Sequence, residues 1–380
     1  MAAAEWGAAL GQQPIVLCFL SVHPLYCIRY NKKIRANILR GKFMANKITV
    51  VIPMAGFGKR LRPHTWSRPK QLLGLAGKAV IEHVLDTFST LPENTQIEYV
   101  FIVGYLGDKI KDFMISEHPE VKVDFVIQEE MKGQSHAIYL AKDYIDGPMI
   151  MVFADTLIET ELSFLDKEKS DVIAWVKPVP DPRRFGVAEL GADKLVTRLI
   201  EKPKAMDNNL ALVGFYYFKD GLDLINAIEK QIDQKVQLKG EFFLADAINI
   251  MLEEDACNMR TQKVSVWLDA GTFETMLSTN HYLLDHGYEN SEKASQRMGV
   301  NVIPPVYVHP EAEVESSVIG PYTTIEAGCR ILGSVIQNSI IEKGSQVEDS
   351  NLNGSLIGQN TTLKGGSQSL NIGDNTSIQL

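Results

Sequence analysis

The sequence predicts an α/β domain with a mostly parallel sheet, followed by a small β-solenoid of hexapeptide repeats. Up to about residue 290, short apolar runs alternate with stretches of helical periodicity, which is typical of a parallel sheet covered by helices. After residue 300, aliphatic residues recur every five or six positions, a period that fits neither a helix nor a simple strand. A chain of 380 residues is long enough for two such domains.

The α/β domain is predicted to occupy residues 44–290. It opens with the strand Ile48–Ile52, and later apolar runs predict the strands Tyr99–Val103, Val123–Gln128, Met149–Phe153 and Val172–Val176. Helices are predicted in the periodic stretches Ala79–Leu91 and Ser135–Tyr144. In such sheets, ligand sites lie beyond the carboxyl ends of the strands, so the residues that follow each strand are the first candidates for function.

The solenoid is predicted in residues 300–380. One aliphatic side chain per short face would point inward, while Gly or Asn would turn each corner. The thirteen residues of this series are Val308, Val314, Ile319, Ile325, Ile331, Ile336, Ile341, Val347, Leu352, Ile357, Leu363, Ile372 and Ile378. Their number corresponds to roughly four coils.

The composition excludes several classes of protein. Hydrophobic residues make up 45% and charged residues 22%, so neither a disordered nor a collagen-like chain is expected. The formal net charge of −9 argues against a broad nucleic-acid-binding surface. The four cysteines form neither a CxxC pair nor a dense framework, which argues against a disulfide scaffold or a structural zinc site. A cytoplasmic location is therefore expected.

The first 43 residues differ in character from the rest, because basic residues dominate them. Their apolar stretch, Pro14–Ile28, is interrupted by His23 and Pro24 and is shorter than the ~20 residues that span a bilayer. From Met44 the chain leads directly into the first strand. We therefore expect residues 1–43 to be upstream sequence or a poorly ordered extension, and we expect no membrane partner.

The loop after the first strand, residues 54–70, is predicted to bind a polyphosphate. Its glycines allow the backbone to approach a phosphate closely. Five cations lie within twelve residues of this acidic protein, namely Lys59, Arg60, Arg62, Arg68 and Lys70. The loop is not a Walker A motif, because no Gly-Lys-Ser/Thr occurs, and Leu61 stands where a dinucleotide fingerprint has its third glycine. A solvated basic loop is the alternative.

Two aspartates follow apolar strands. Asp155 comes after Met149–Phe153, and Asp269 comes after the predicted strand Val264–Leu268. Two carboxylates at strand ends can hold a hard divalent cation, usually Mg²⁺, which shares phosphate oxygens and waters. Turn or helix-capping aspartates are the alternative interpretation.

The motifs of this sequence resemble those of the sugar-1-phosphate nucleotidylyltransferases. The loop carries the spaced set Gly56, Gly58, Arg60, Pro63, Thr65, Pro69 and Lys70. Further matching positions follow in order, namely Gln128, Gly133, Asp155, Gly186, Glu201, Lys202, Gly214 and Asp269. The long form of glucose-1-phosphate thymidylyltransferase is particularly similar. The resemblance implies a Rossmann-like nucleotidyltransferase domain followed by a left-handed parallel β-helix.

The resemblance also implies a reaction. An oxygen of a sugar 1-phosphate, here glucose 1-phosphate, attacks the α-phosphorus of a nucleoside triphosphate, here dTTP, and pyrophosphate leaves. Arg60 would hold the departing phosphates, Lys70 would neutralise charge at the reacting centre, and Lys202 would hold the sugar phosphate.

The remaining site residues are likewise implied by the resemblance. The nucleotide-binding residues would be Ala55, Gly56, Gly58, Gln128 and Gly133. The sugar-binding residues would be Gly186, Glu201 and Gly214. Asp155 and Asp269 would bind Mg²⁺.

Three alternatives stay open at this point. One is a mannose-1-phosphate guanylyltransferase. Another is a bifunctional N-acetylglucosamine-1-phosphate uridylyltransferase and acetyltransferase, although such acyltransfer needs a histidine and residues 300–380 contain only His309. The third is a non-catalytic regulatory relative. The flat faces of a solenoid also suit subunit contacts, so a homo-oligomer is expected.

Overall fold

A computed structural model describes residues 47–255 and 257–365. The expected extension, residues 1–43, lies outside these ranges, as do Ile372 and Ile378 of the aliphatic series. Within the described residues, no helix is both long and apolar enough to cross a membrane.

The N-terminal domain contains thirteen strands in the described residues, nine of which form one sheet. The strands are β1 Lys47–Pro53, β2 Gly74–Leu75, β3 Lys78–Ala79, β4 Gln96–Val103, β5 Val123–Ile127, β6 Met149–Val152, β7 Thr156–Ile158, β8 Val172–Pro178, β9 Gly186–Leu190, β10 Val196–Glu201, β11 Leu210–Phe218, β12 Met259–Lys263 and β13 Trp267–Asp269. The main sheet has the order β10-β9-β11-β6-β1-β4-β5, and β8 pairs with both β11 and β12.

The main sheet is mixed, and its parallel part surrounds β1. Strand β1 pairs in parallel with β4 and β6, and β4 pairs in parallel with β5. Strand β11 runs antiparallel to β6 and β8. Five consecutive residues of β1, 48–52, are buried, as expected for a strand that is covered on both faces. The predicted Rossmann-like class is confirmed.

Seven α-helices are present in the described residues. They are α1 Val80–Asp86, α2 Gly107–Glu117, α3 Gln134–Leu140, α4 Gly221–Asp233, α5 Leu244–Glu254, α6 Phe273–Asp285 and α7 Ser291–Ser295. Both predicted helices form, but each ends early and continues as a 3₁₀ turn, at Thr87–Thr90 and Lys142–Tyr144 respectively.

The predicted strand Val264–Leu268 is wrong. Strand β12 ends at Lys263, and β13 begins at Trp267 and leaves the main sheet to pair antiparallel with β7. Asp269 consequently lies in β13 rather than after a strand of the main sheet.

The C-terminal domain is a parallel β-helix of three four-stranded sheets, as predicted. Its strands are β14 Val300–Val302, β15 Val306–Val308, β16 Glu313–Glu315, β17 Ser317–Ile319, β18 Thr323–Ile325, β19 Arg330–Leu332, β20 Val335–Gln337, β21 Ile340–Ile341, β22 Gln346–Glu348, β23 Asn351–Asn353, β24 Leu356–Ile357 and β25 Thr362–Lys364. Each strand pairs with the strand three later, so three strands form one coil and twelve strands form four coils. The eight aliphatic residues from Val308 to Val347 in the predicted series are all buried.

One sheet of the β-helix, β15-β18-β21-β24, packs on the N-terminal domain. Ile340 and Leu356 belong to the same apolar core as the residues around β1. The Tyr307 ring covers Gly77, where a Cβ atom would lie 2.3 Å from the ring and φ is +86°. Gly77 therefore has no room for a side chain. The two domains are closely packed at this surface.

Candidate active site

The loop after β1 is held in shape by its own residues. Gly58 adopts the left-handed conformation, with φ 60° and ψ 31°, and begins the 3₁₀ turn Lys59–Leu61. The Thr65 hydroxyl donates a hydrogen bond of 2.9 Å to the Gly58 carbonyl. A Cβ atom at Gly56 would meet no other atom within 4 Å, so the loop is open at that point. The exposed Arg60 side chain lies in the turn.

The base of this loop contacts the loop after β4. Ala55 is buried, and a Cβ atom at Gly104 would lie only 2.8 Å from the Ala55 carbonyl oxygen. The buried Gln71 donates to the Met54 carbonyl at 3.4 Å, whereas its Oε1 atom has no hydrogen-bond partner within the described residues. Gln71 was not predicted as a site residue, although it directly follows Lys70.

The two predicted metal aspartates are brought together by the β7–β13 ribbon. Asp269 pairs with Thr156, the residue that directly follows Asp155. The Ala270 N–H group donates to the Asp155 carbonyl at 3.1 Å. A local strand pairing therefore joins two residues that are more than a hundred positions apart in the sequence.

Arg60 meets both aspartates at Gly271. A Cβ atom at Gly271 would lie 2.8 Å from Arg60 Nη2, 2.9 Å from Asp269 Oδ1 and 3.3 Å from Asp155 Oδ2. A side chain here would displace the ends of the Arg60 and Asp269 side chains. Glycine at this position therefore leaves room for the guanidinium and the two carboxylates to converge.

The two carboxyl groups have opposite pKa shifts. Burial alone would raise the pKa of Asp155, but its ion pair with Lys70 and the nearby Arg60 guanidinium hold that pKa below the usual value. Burial and the charge on Asp155 raise the pKa of Asp269. The Lys70 ammonium therefore neutralises the charge of Asp155, and a further cation would stabilise the ionised form of Asp269.

The donor set fits a hard divalent cation. No cluster of three or more His, Cys, Asp or Glu side chains suited to a metal occurs among residues 47–255 and 257–365. A cation beside Asp155 and Asp269 must therefore complete its shell with other oxygens. Mg²⁺ is commonly bound in this way, through one or two carboxylates together with phosphates and waters.

A cavity of about 620 Å³ opens beside these carboxylates. Six predicted site residues line it, namely Arg60, Asp155, Gly186, Glu201, Lys202 and Asp269. Lys70 is not part of the lining and reaches the site through Asp155. The volume suits a ligand of the size of a nucleotide or a sugar phosphate.

The far side of the cavity is formed by β9 and β10. Gly186 pairs with Glu201, and a Cβ atom at Gly186 would lie 3.1 Å from Glu201 Oε2. Lys202 has a positive φ of 48°, and its N–H group donates to the Phe185 carbonyl at 3.0 Å. The Lys202 ammonium lies 3.4 Å from Glu201 Oε1 and 5.2 Å from the centre of the Phe243 ring.

Gly214, predicted to bind sugar, does not line the cavity. It has φ +83°, and a Cβ atom there would lie 2.2 Å from the Phe153 ring. Phe153 itself lines the cavity. Gly214 thus contributes by making room for this ring at the point where the pairing of β11 with β8 shifts register.

The predicted base-binding residues lie together but outside the cavity lining. The buried Gln128 side chain donates to the Gly133 carbonyl and to His136 Nδ1, both at 3.4 Å. A Cβ atom at Gly133 would lie 2.5 Å from the Phe242 carbonyl oxygen, and φ is +99°. The backbone of residue 242 is therefore sufficient to require glycine at this position.

Sequence reasoning missed several large side chains of the cavity wall, among them Arg184, Phe185 and Trp267. The rings of Phe185 and Trp267 lie 5.0 Å apart, edge to face. Arg184 and Phe185 directly precede the predicted Gly186, and Trp267 opens β13. Their nearness to predicted residues was the only signal in the sequence.

Comparison with known proteins places the chain in a family. The sequence model of the nucleotidyl transferase family matches residues 49–286. The bifunctional protein GlmU of Methanocaldococcus jannaschii is 34% identical over 236 residues, which are 62% of this chain and 54% of that protein. The glucose-1-phosphate thymidylyltransferase of Streptomyces antibioticus is 27% identical over 334 residues, which are 81% of this chain and 91% of that protein.

A solved structure has the same fold. The structure of UDP-glucose pyrophosphorylase complexed with UDP-glucose superposes with a TM-score of 0.54 at 20% identity, over 64% of this chain and all of that one. The chain spans about half the length of the first relative, GlmU, and most of the thymidylyltransferase. The family model covers more than half of the chain. The chain therefore belongs to the nucleotidyl transferase family, as the motifs predicted.

Proposed function

We propose that this protein is a sugar-1-phosphate nucleotidylyltransferase that joins glucose 1-phosphate to dTTP and releases pyrophosphate. The observation that carries the proposal is the convergence of Arg60, Asp155 and Asp269 on one side of a cavity whose other side holds Glu201 and Lys202. The Arg60 cation and the carboxylates of Asp155 and Asp269, which would hold a metal ion, can together bind the negatively charged triphosphate. The opposite carboxylate and ammonium suit the hydroxyls and the phosphate of a sugar phosphate.

Catalysis in this proposal is alignment and neutralisation of charge. An oxygen of the sugar phosphate attacks the α-phosphorus, and the bond to the β,γ-pyrophosphate breaks. Arg60 contacts the departing phosphates, since its planar guanidinium can bind two oxygens at once. Lys70 neutralises the phosphate at the reacting centre, and Lys202 orients the incoming phosphate.

Asp155 and Asp269 would hold magnesium. A bound magnesium ion would supply charge neutralisation to the phosphate oxygens. The ion pair with Lys70 keeps Asp155 ionised and therefore ready to act as a ligand. Burial and the charge of Asp155 raise the pKa of Asp269, and Arg60 and Lys70 only partly oppose this shift, so a bound cation would stabilise the ionised form.

The choice of dTTP and glucose 1-phosphate rests on two lines of support. The Gln128 amide can hydrogen-bond a pyrimidine edge if its side chain leaves the weak contacts with Gly133 and His136, both at 3.4 Å. The relative named glucose-1-phosphate thymidylyltransferase matches over 81% of the chain, which extends beyond the catalytic domain.

A second candidate is a bifunctional enzyme whose β-helix transfers an acetyl group. It is favoured by one observation, the 34% identity to a relative named a bifunctional protein. The only histidine after residue 300, His309, accepts a hydrogen bond of 3.2 Å from the Glu311 N–H group through Nδ1. Consumption of acetyl-CoA with glucosamine 1-phosphate distinguishes this candidate.

The test of the main proposal is pyrophosphate release with four nucleoside triphosphates, each offered with glucose, mannose and N-acetylglucosamine 1-phosphates. We expect the highest kcat/KM for dTTP with glucose 1-phosphate. Reactions without a sugar phosphate serve as the blank. A well-folded protein that releases no pyrophosphate with any pair contradicts the proposal, whereas a preference for another pair corrects only its specificity.

A further inference from the structure

A buried ion pair joins the β-helix to the phosphate-binding loop. Glu342, which directly follows β21, is only 1% exposed, and Arg68 is 8% exposed. Arg68 Nη2 lies 2.7 Å from Glu342 Oε1. Charged residues are rarely buried to this degree unless they are paired, so the contact is a specific link between the two domains.

The same carboxylate also holds the backbone beyond Lys70. The Gly74 N–H group donates to Glu342 Oε1 at 3.0 Å. One oxygen atom of the β-helix thus binds the chain on both sides of Lys70, at positions 68 and 74. Between these two anchors, the 3₁₀ turn Lys70–Leu72 is closed by the Leu73 N–H group, which donates to the Lys70 carbonyl at 3.1 Å.

The Lys70 side chain, between the two anchors, extends to the candidate active site. The Lys70 ammonium pairs with Asp155, which lies beside Asp269 and Arg60. A displacement of the segment 68–74 would move the ammonium relative to the reacting phosphate. Because displacements of about 1 Å at a reacting centre can lower a rate ~100-fold, the anchoring of this segment matters for turnover.

We propose that Glu342 is a positioning residue for Lys70, which it holds in place through the Arg68 side chain and the Gly74 backbone. The β-helix is then part of the apparatus that aligns the phosphates, in addition to packing on the domain. The inference rests on the proposed function, in which Lys70 contacts the reacting phosphate.

The test separates positioning from stability. Removal of one partner of a buried ion pair destabilises a protein, whereas replacement of both partners by apolar residues of similar size is often neutral or stabilising. The double variant Arg68→Met with Glu342→Met should therefore lose less Tm than either single change, and the loss that remains comes from the Gly74 N–H group, which no longer has an acceptor. We expect its kcat for pyrophosphate release to fall roughly 10- to 100-fold, with the KM of the sugar phosphate nearly unchanged.

Two further variants complete the design. Glu348→Gln removes the carboxylate of an ion pair on the β-helix surface, Glu348–Lys364 at 2.8 Å, and serves as the matched control with unchanged kcat. Glu342→Gln keeps an acceptor oxygen for Gly74 but removes the charge that faces Arg68. We expect its kcat to fall roughly tenfold, and this variant decides the question if the double variant does not fold.

A folded double variant with unchanged kcat would overturn the inference, as would an unchanged kcat in a folded Glu342→Gln variant. Failure of the proposed function looks different, because the unchanged protein would then release no pyrophosphate with any substrate pair.

Discussion

The two domains differ in how their sequences relate to their structures, because one is built from a repeat and the other from motifs that each occur once. In the β-helix, inward-facing aliphatic positions recur along the sequence, and each of them fills the same apolar core. In the N-terminal domain, each motif occurs once, and the site forms where segments distant in sequence meet, as Asp155 and Asp269 do. A repeat therefore predicts architecture well and chemistry poorly. Single motifs predict chemistry well, whereas their exact contacts depend on the whole fold.

The largest loss of kcat is expected for Asp269, because no other carboxylate of the described residues lies beside Asp155 in the proposed metal site. Asp269→Asn keeps the size of the side chain but removes a charge beside Asp155, so kcat should fall at least about 100-fold. Pyrophosphate release at saturating Mg²⁺ measures this loss. Asp166→Asn, at an exposed position of the same domain, is the control and should keep normal turnover. Near-normal turnover of the Asp269 variant would remove this residue from the metal site.

A smaller effect should separate two lysines of one loop. Lys70 pairs with Asp155 inside the site, whereas the exposed Lys59 lies 5.6 Å from the centre of the Phe57 ring. Lys70→Ala should lower kcat roughly 50-fold, because its contact strengthens in the transition state. Lys59→Thr should leave kcat unchanged and raise the KM of the nucleotide about twofold, an effect that salt screens.

Kinetics of both variants at two ionic strengths measure this difference. Equal losses of kcat would show instead that Lys59 contacts the reacting phosphates, and the separation of roles within the loop would be wrong.

A substitution in the repeat should change stability without changing turnover. Ile336 is fully buried in the β-helix core, so Ile336→Ala should lower the free energy of unfolding by about 2–5 kcal/mol. The neighbouring Val335 is 41% exposed, and Val335→Ala should cost less than about 0.5 kcal/mol. Urea unfolding measures both. A loss of kcat in folded Ile336→Ala protein would show that turnover depends on the packing of the whole β-helix core and not on the contacts of Glu342 alone.

The smallest effect concerns pH and the surface between the domains. Burial, and next the charge of Glu342, raise the pKa of Glu326 to about 8, although Arg68 opposes the shift. The folded protein therefore binds a proton there that the unfolded chain releases above its ordinary pKa of about 4.5. Stability from this group is complete below pH 4.5 and declines as the pH rises towards 8.

Thermal unfolding at pH 6 and pH 9 measures this dependence. The Tm of the unchanged protein should fall by a few degrees more than that of Glu326→Gln, which cannot ionise. The charge of Glu82 also contributes to the raised pKa of Glu326. Identical slopes for the two proteins would mean that Glu326 does not titrate in this window.

Most of the architecture could be predicted because its signals are periodic. The aliphatic spacing located every coil from Val308 to Leu363, and the apolar runs located the strands around β1. Prediction failed at Val264–Leu268 because apolar character does not reveal which partner a strand will choose. The change of partner from β8 to β7 depends on tertiary structure.

The sequence indicated which residue types belong to the candidate site, but it did not indicate which neighbouring atoms these residues contact. Asp155, Asp269 and Arg60 lie close together, but Asp269 reaches Asp155 through the pairing of β13 with β7 and not at the end of a main-sheet strand. Gly133 and Gly214 were expected to face ligands, yet backbone atoms of Phe242 and the ring of Phe153 account for their lack of a side chain. Such contacts come from segments about 60 to 110 residues away, and no local pattern encodes them.

The anchor at Glu342 limits how this protein can change in length during evolution. Glu326 and Glu342 occupy equivalent places on successive coils, which are about 4.8 Å apart. Insertion or deletion of one coil before β21 would shift the acidic partner of Arg68 by that distance and break the link. Coils added after β25 would leave it intact. Growth of the repeat is therefore constrained at one end and permitted at the other.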